Sequence, residues 1–593
     1  MSNNVKNKKI FYLLLTLFPV ILLVFIEVAL RVSSFGYDYP LFIKSKSMQG
    51  YLQPNPEVIK RYFSNPELAP DIKPDTFFFK QSKTKGSFRI VIQGGSTAAG
   101  FPFGRFGSLQ GMLQQRFKRI YPDTKIEIIS TAMSAINSYA MLDFSDEIIK
   151  INPDLILIYA GHNEYLGIMG VGSNYAAKSS RSTSLLFLKL KNLKLFQLMQ
   201  SLVELFQSNT KIVEAQTVNK RNLMATVAKN KTIDFNSETY NQGLEQFSGN
   251  LKLLLDKYKE HQIPVLISTL ASNEKDQTPF SSSKEKLNAK DFFDAAQQYL
   301  IEGDYELAKE AFTKASDYDL LRFRAPSQFN QIIRNTIDRK NVFLVDVQQR
   351  IRNESKNGII GFQHMFEHLH PNARGYFLMA ESFVDKIINE KFVAEYANFY
   401  PMDLAWNDIP LTEIDLITAK FKIQTLVSDY PFTEKKQSVA FGEVNTFERK
   451  IAKRKLTSHD WLQLQREILQ HYQVNAKTGP DIDKLINLRK AAKIAGIIFD
   501  AFPNQDKAAW IAGKLYFAIN DTKIAEYYLK HSVGINPTQI EYLMNYAYSL
   551  YVNRKLNESL LILERVLQIE TRHQQALKQK LRISRELLSN EKN

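Results

Sequence analysis

Two hydrophobic periodicities alternate along this chain. Short apolar runs, Phe88-Arg89-Ile90-Val91-Ile92, Lys125-Ile126-Glu127-Ile128-Ile129 and Leu155-Ile156-Leu157-Ile158-Tyr159, are separated by segments whose apolar positions recur every three to four residues. The second pattern predicts amphipathic helices over Ser108 to Tyr121 and Ser138 to Ile151. The first predicts strands, and the run 155–159 has no strongly polar position, as expected of a strand buried on both faces of a parallel sheet. Ile263-Pro264-Val265-Leu266-Ile267 and Val342-Phe343-Leu344-Val345-Asp346 continue the pattern after further helical stretches. Strands and helices alternating in this way predict a doubly wound α/β domain with a parallel sheet over residues 86–392, carrying helical insertions near 170–235 and 285–330.

Other segments have different patterns. Ile10 to Leu30 is an apolar run interrupted by Pro19 and Glu27, and about 20 such residues suffice to cross a bilayer core. Lys6, Lys8 and Lys9 precede it, and Val28-Ala29-Leu30-Arg31-Val32 offers no small-residue cleavage site. The expectation is an uncleaved transmembrane signal anchor over 10–31, with residues 1–9 cytoplasmic and the remainder extracytoplasmic. Glu27 and Arg31 stand one helical turn apart and are expected to pair. Residues 32–85 read as an irregular lead-in. Ser184 to Gln207 reads as one helix dense in Leu and Phe, which suits a membrane surface, a lid or packing on its own domain. Ala295 to Ala315 reads as a helical hairpin turning at Gly303-Asp304.

After a helical connector over 393–471, small and large residues recur with a period of 34. Gly513 returns as Ala547, Tyr516 as Leu550, Ala525 as Ser559, Leu529 as Leu563 and Pro503 as Pro537. Gly479, Ala491 and Ala495 take the matching places one period earlier. Paired helices approach at the small residues and fill the space between with the large ones. This resembles a tetratricopeptide array of about three units in a C-terminal domain over 472–593, and the resemblance implies a protein partner.

Charge and composition narrow the function. The net charge of +16 comes from scattered lysines without any nucleic-acid motif, so no nucleic-acid partner is expected. A basic surface suits anionic glycan or lipid instead. The absence of cysteine excludes disulfides and thiolate metal sites.

Candidate chemistry sits where the apolar runs end. Ser96 follows the first through Gly94-Gly95, so its hydroxyl and N–H emerge at the C-terminal edge of the sheet. Asn163, in Gly161-His162-Asn163-Glu164, follows the third, where its amide can donate to a developing oxyanion. His370 lies in Glu367-His368-Leu369-His370-Pro371, with Glu367 three residues earlier to orient the imidazole. Serine, oxyanion donors, histidine and carboxylate form a parts list for acyl transfer through a serine ester. His364, His368 and His370 match no strong zinc spacing, so no metal and no cofactor are expected.

In their order and placement these pieces resemble the SGNH, or GDSL-type, hydrolase superfamily, over about residues 86–392. That resemblance implies a flavodoxin-like sheet, with Ser96, His370 and Glu367 as catalytic residues. It also implies an oxyanion hole from Ser96, Ala135 and Asn163. Gly95 replaces the customary Asp, Glu164 and Glu367 each stand where Asp is commoner, and Ala135 occupies the position of the oxyanion glycine, where a positive φ would be costly. The Gly-His-Asn-Glu block, membrane segment and repeats look like one subgroup, as does Leu321-Arg322-Phe323-Arg324-Ala325-Pro326. Arg322 and Arg324, with Gly95 and Gly161, are the candidate substrate-binding residues, although a structural ion-pair role is the stronger reading for the arginines. The implied function is a membrane-anchored serine esterase acting on an ester-linked acyl group, such as acetyl on a cell-envelope glycan. An O-acyltransferase using the same site, and a repeat-domain scaffold with a degraded site, are the alternatives.

Overall fold

In the computed structural model of the chain, residues 2–173, 180–207, 224, 232–284, 288–458 and 460–590 are described. Three short strands, β1 (Phe42–Lys44), β2 (Tyr51–Pro54) and β3 (Phe79–Lys80), form an antiparallel sheet of their own. The lead-in is therefore not wholly irregular. Strands of two to four residues are too short to leave a periodic trace in sequence.

The main sheet contains β4 (Phe88–Gly94), β5 (Ile126–Ser130), β6 (Leu155–Tyr159), β7 (Val265–Ser268) and β8 (Val342–Val345), all parallel, in the order β5-β4-β6-β7-β8. Ile90, Val91, Ile92, Leu155, Ile156 and Leu157 are fully buried at its centre. The chain leaves β4 for β5 on one side and then crosses to β6 on the other. Right-handed crossovers in opposite directions put the connecting helices Leu109–Ile120 and Ser138–Lys150 on opposite faces. Helix Ala373–Asn389 packs beside the first, and Glu238–Glu260 beside the second. Between β4 and β6 the strand order reverses, leaving a crevice at their C-terminal ends.

The expected helix over 184–207 is two helices, Arg181–Leu190 and Lys194–Gln207, separated at Lys191-Asn192-Leu193. The second begins where Glu27, on helix Ser2–Val32, accepts hydrogen bonds from the N–H groups of Lys194 (3.1 Å) and Leu195 (2.8 Å). A carboxylate there satisfies orphan donors of the first helical turn. The predicted Glu27–Arg31 pair is present at 2.6 Å. Among the residues whose side chains are described, which in helix Ser2–Val32 are 12, 15 and 17–32, no helix is long and apolar enough to cross a membrane. The hairpin of helices Ala289–Glu302 and Tyr305–Asp317 turns at Gly303, whose φ of +88° suits glycine.

The C-terminal helices stack in pairs: Trp461–Thr478 with Asp481–Ala501, Asp506–Ala518 with Thr522–Ile535, and Ile540–Val552 with Leu556–Ile569, followed by Gln574–Asn590. A Cβ on Gly513 would lie 2.6 Å from Leu529, so the small residue sets how closely that pair approaches. Trp461–Thr478 runs across the boundary expected at 471/472, because the small-residue pattern marks only the closest approach and not where a helix begins. The array is docked on the α/β domain. Lys118, on Leu109–Ile120, is buried against Asp500 and bonds the Tyr528 hydroxyl at 3.0 Å, while Arg119 pairs with Asp408 (2.7 Å) and Asp521 (2.8 Å).

Candidate active site

Ser96 opens the short helix Ser96–Ala99 immediately after β4. Gly94 is required by close packing, since a Cβ there would lie 2.2 Å from the Tyr159 carbonyl oxygen on β6. Gly95 has φ −86° and ψ −158°, a conformation open to any residue. Its Cβ would instead lie 2.7 Å from Asn163 Nδ2. The glycine at 95 therefore makes room for the Asn163 amide, and the aspartate implied by the resemblance has no space.

His370 reaches Ser96 from the far end of the domain. Its Nε2 lies 2.8 Å from Ser96 Oγ, and its Nδ1 lies 2.5 Å from Glu367 Oε1. Glu367 is buried and held in place by the backbone N–H groups of His370 (2.9 Å to Oε1) and His368 (2.8 Å to Oε2). The carboxylate thus puts the proton of a neutral imidazole on Nδ1 and leaves Nε2 to accept from the hydroxyl. Burial pushes the His370 pKa below the usual imidazole value, so neutral His370 predominates at neutral pH. Phe101 packs on the ring, with centroids 4.7 Å apart.

The N–H groups of Ser96 and Ala135 have no protein acceptor among the described residues. Asn163 Nδ2 donates to the Ile136 carbonyl at 2.9 Å, which orients the amide and leaves a second N–H. Ser96, Ala135 and Asn163 line one cleft of about 260 Å³ together with His370. Ala135 does adopt positive φ, +59°, at a cost of about 1–2 kcal/mol for a residue with a Cβ. Its carbonyl accepts from Ile168 N–H at 2.8 Å, one contact that holds this conformation.

Neighbours of the site hold its loops. Gly161 has φ +152°, and a Cβ there would meet Leu270 at 2.4 Å. Glu164 is fully buried and accepts from Ser138 N–H (2.7 Å), Ser138 Oγ (2.8 Å) and Gln246 Nε2 (2.8 Å). Burial raises its pKa to about 7. His162 accepts the Ala325 N–H at Nδ1, 3.1 Å, and burial lowers its pKa to about 3.

Arg322 and Arg324 do not line the cleft. Arg324 pairs with buried Asp319 at 3.1 Å and donates to the Asn273 carbonyl. Arg322 donates to the carbonyls of Ile233 and Asp317 and lies 4.6 Å from the Tyr240 ring centroid. Both guanidinium groups are buried inside the fold, bonded to the nearby Asp317 and Asp319 and to the carbonyls of Ile233 and Asn273 from distant segments. Glu367, His368 and His370 offer ligand atoms within 4.8 Å of one another. Their bonds describe a carboxylate orienting an imidazole, since both its oxygens accept backbone N–H groups and His370 turns Nε2 to Ser96. Leu426, which no sequence motif marks, reaches the cleft from helix Glu413–Val427 beyond the α/β domain.

No protein-family model matches the chain, and no curated protein matches it. Among solved structures, a GDSL-like lipase from Bacteroides thetaiotaomicron is similar over 53% of this chain and 93% of its own, at 13% identity and a TM-score of 0.27. The first TPR domain of the human RPAP3 protein is similar over 22% of this chain and 96% of its own, at 20% identity and a TM-score of 0.19. Likenesses this slight have no bearing on the chemistry, which rests on the geometry of Ser96, Glu367 and His370.

Proposed function

We propose that the protein is a serine esterase of the SGNH type, acting on an ester-linked acyl group of a cell-envelope glycan or similar substrate. Ser96 Oγ attacks the ester carbonyl as His370 Nε2 takes its proton, and Glu367 stabilises the imidazolium that forms. The oxyanion is held by the N–H groups of Ser96 and Ala135 and the Asn163 amide. His370 then protonates the leaving alkoxide, and the acyl group remains on Ser96. Water, deprotonated by His370, attacks that ester and releases the acid, and the proton returns to Ser96.

The observation that carries this reading is the relay Ser96–His370–Glu367, at 2.8 and 2.5 Å, opening on a cleft at the reversal point of the sheet. The test is hydrolysis of aryl esters by the purified chain. Ser96→Ala and His370→Ala are each expected to lower kcat by at least about 10³-fold with the fold intact. Turnover unchanged in both would overturn the reading.

The proposal includes a membrane location, with helix Ser2–Val32 as anchor and the catalytic and repeat regions outside the cytoplasm. Its support is the apolar run of the sequence and the exposure of Phe18, Ile21, Val24 and Phe25 on that helix. Co-sedimentation with membranes that is lost on deleting residues 1–31 tests it. A protein partner for the repeat array belongs to the same proposal.

A further inference from the structure

We propose that the acyl half of the substrate is a hydrocarbon chain longer than acetyl, and that Leu426 sets its length. This rests on the serine esterase reading of the same site. The cleft of about 260 Å³ beginning at Ser96 is walled by Phe101, Leu166, Phe323, Leu369 and Leu426. Among the described residues no Asp, Glu, Lys or Arg lines it. Apart from Ser134, its polar groups are the nucleophile, the oxyanion amide and the histidines beside them. A sugar placed there would exchange water hydrogen bonds for apolar contact and lose free energy with each hydroxyl buried. A hydrocarbon chain gains instead, by about fourfold in binding for every methylene removed from water. An acetyl methyl would cover only the part of the wall nearest Ser96.

Leu426 comes from a part of the chain that is outside the α/β domain. Helix Glu413–Val427 is fixed at its start by Thr412 and Asp415, each capping the other's backbone N–H. Along its length Lys422 Nζ donates to the Pro102 carbonyl at 3.2 Å, in the loop that follows the nucleophile helix. Just past its end, Phe432 packs on His368 (5.4 Å) and Phe280 (5.1 Å). The connector is thereby a built wall of the cleft, and Leu426 is positioned to limit its depth.

The experiment compares kcat/KM for p-nitrophenyl acetate, butyrate and octanoate in the full chain and in Leu426→Trp and Leu426→Ala. The wild type is expected to favour the longer esters, with gains of up to about fourfold per methylene until the cleft is full. Leu426→Trp shortens the cleft and lowers the octanoate-to-acetate ratio by at least about tenfold. Leu426→Ala shifts the optimum toward octanoate, and carries the test if the tryptophan variant fails to fold. An acetate preference in the wild type, or a ratio that neither variant moves, refutes this inference while Ser96-dependent turnover leaves the esterase reading standing. Absence of Ser96-dependent turnover on every ester refutes both.

Discussion

Replacing Gly95 with alanine separates the two roles a glycine beside a nucleophile can have. If it served backbone conformation, alanine would cost stability. At φ −86° and ψ −158° alanine is unstrained, so what matters is the space its methyl takes. That methyl would lie 2.7 Å from Asn163 Nδ2, where carbon contacts normally begin near about 3.5 Å. The flexible end of Asn163 yields, retreating by somewhat less than about 1 Å, and its bond to the Ile136 carbonyl at 2.9 Å stretches or breaks. A displacement of about 1 Å in a group that must meet a transition state costs roughly 10²-fold. Complete loss of one oxyanion donor, as in Asn163→Ala, costs about 10²–10³-fold and sets the upper bound.

The expected result for Gly95→Ala is a kcat about 10²-fold lower, with the effect on KM small because the amide acts on the transition state. Steady-state hydrolysis of an aryl ester measures this, and urea unfolding of the same preparation measures stability. Stability should hold or rise by about 0.4–1 kcal/mol, because alanine restricts the unfolded chain. A kcat within about threefold of wild type, beside a large loss in Asn163→Ala, would refute the reasoning.

Other outcomes follow from the same geometry. Ala135→Gly relieves the left-handed conformation at φ +59° and should raise stability by about 0.5 kcal/mol in urea unfolding, with kcat preserved because the N–H is kept. Burial raises Glu164 from its usual 4.5 to about 7, so the folded state holds a proton that the unfolded state releases. That contribution to stability is complete below about pH 4.5 and lost as pH rises through about 7, and Glu164→Gln should flatten the slope in unfolding curves across that window. Because burial holds His370 below 6.5, kcat/KM should stay level as pH falls from 8 to 6.5 and decline only below it; an acid limb at or above 6.5 contradicts this. Lys118→Ala leaves Asp500 buried without its cation and should cost about 3–5 kcal/mol in unfolding, whereas replacing both residues by apolar ones of similar size is near neutral.

The sheet was legible because its strands are apolar runs flanked by amphipathic helices, a signal that survives in one dimension. Ser96, Asn163 and His370 were legible for a related reason: each stands where such a run stops or a helix starts. What stayed hidden depends on partners distant in sequence. Arg322 and Arg324 look like ligand-binding residues until the carbonyls of Asn273 and Ile233 reach them from 51 and 89 positions away. The space Gly95 leaves is defined by Asn163, 68 positions away, so the sequence offered Gly95 only as a candidate substrate-binding residue. Leu426 is an ordinary apolar residue of a short helix, and only the packing of that helix on the Pro102 loop brings it to the cleft.

The bonds made by Glu27 bear on how the catalytic body is carried. Its carboxylate caps the start of helix Lys194–Gln207, Arg31 beside it donates to the Asn192 carbonyl at 3.1 Å, and Lys194 reaches Asp38 and the Tyr37 carbonyl. A helix clamped at these points leaves the body in a set direction, as a post and not as a leash. If that helix is the membrane anchor proposed above, the surface that receives its other end fixes the height and tilt of the cleft above it. The reach of Ser96 would then be that of a mounted tool, confined to substrate presented in one narrow layer.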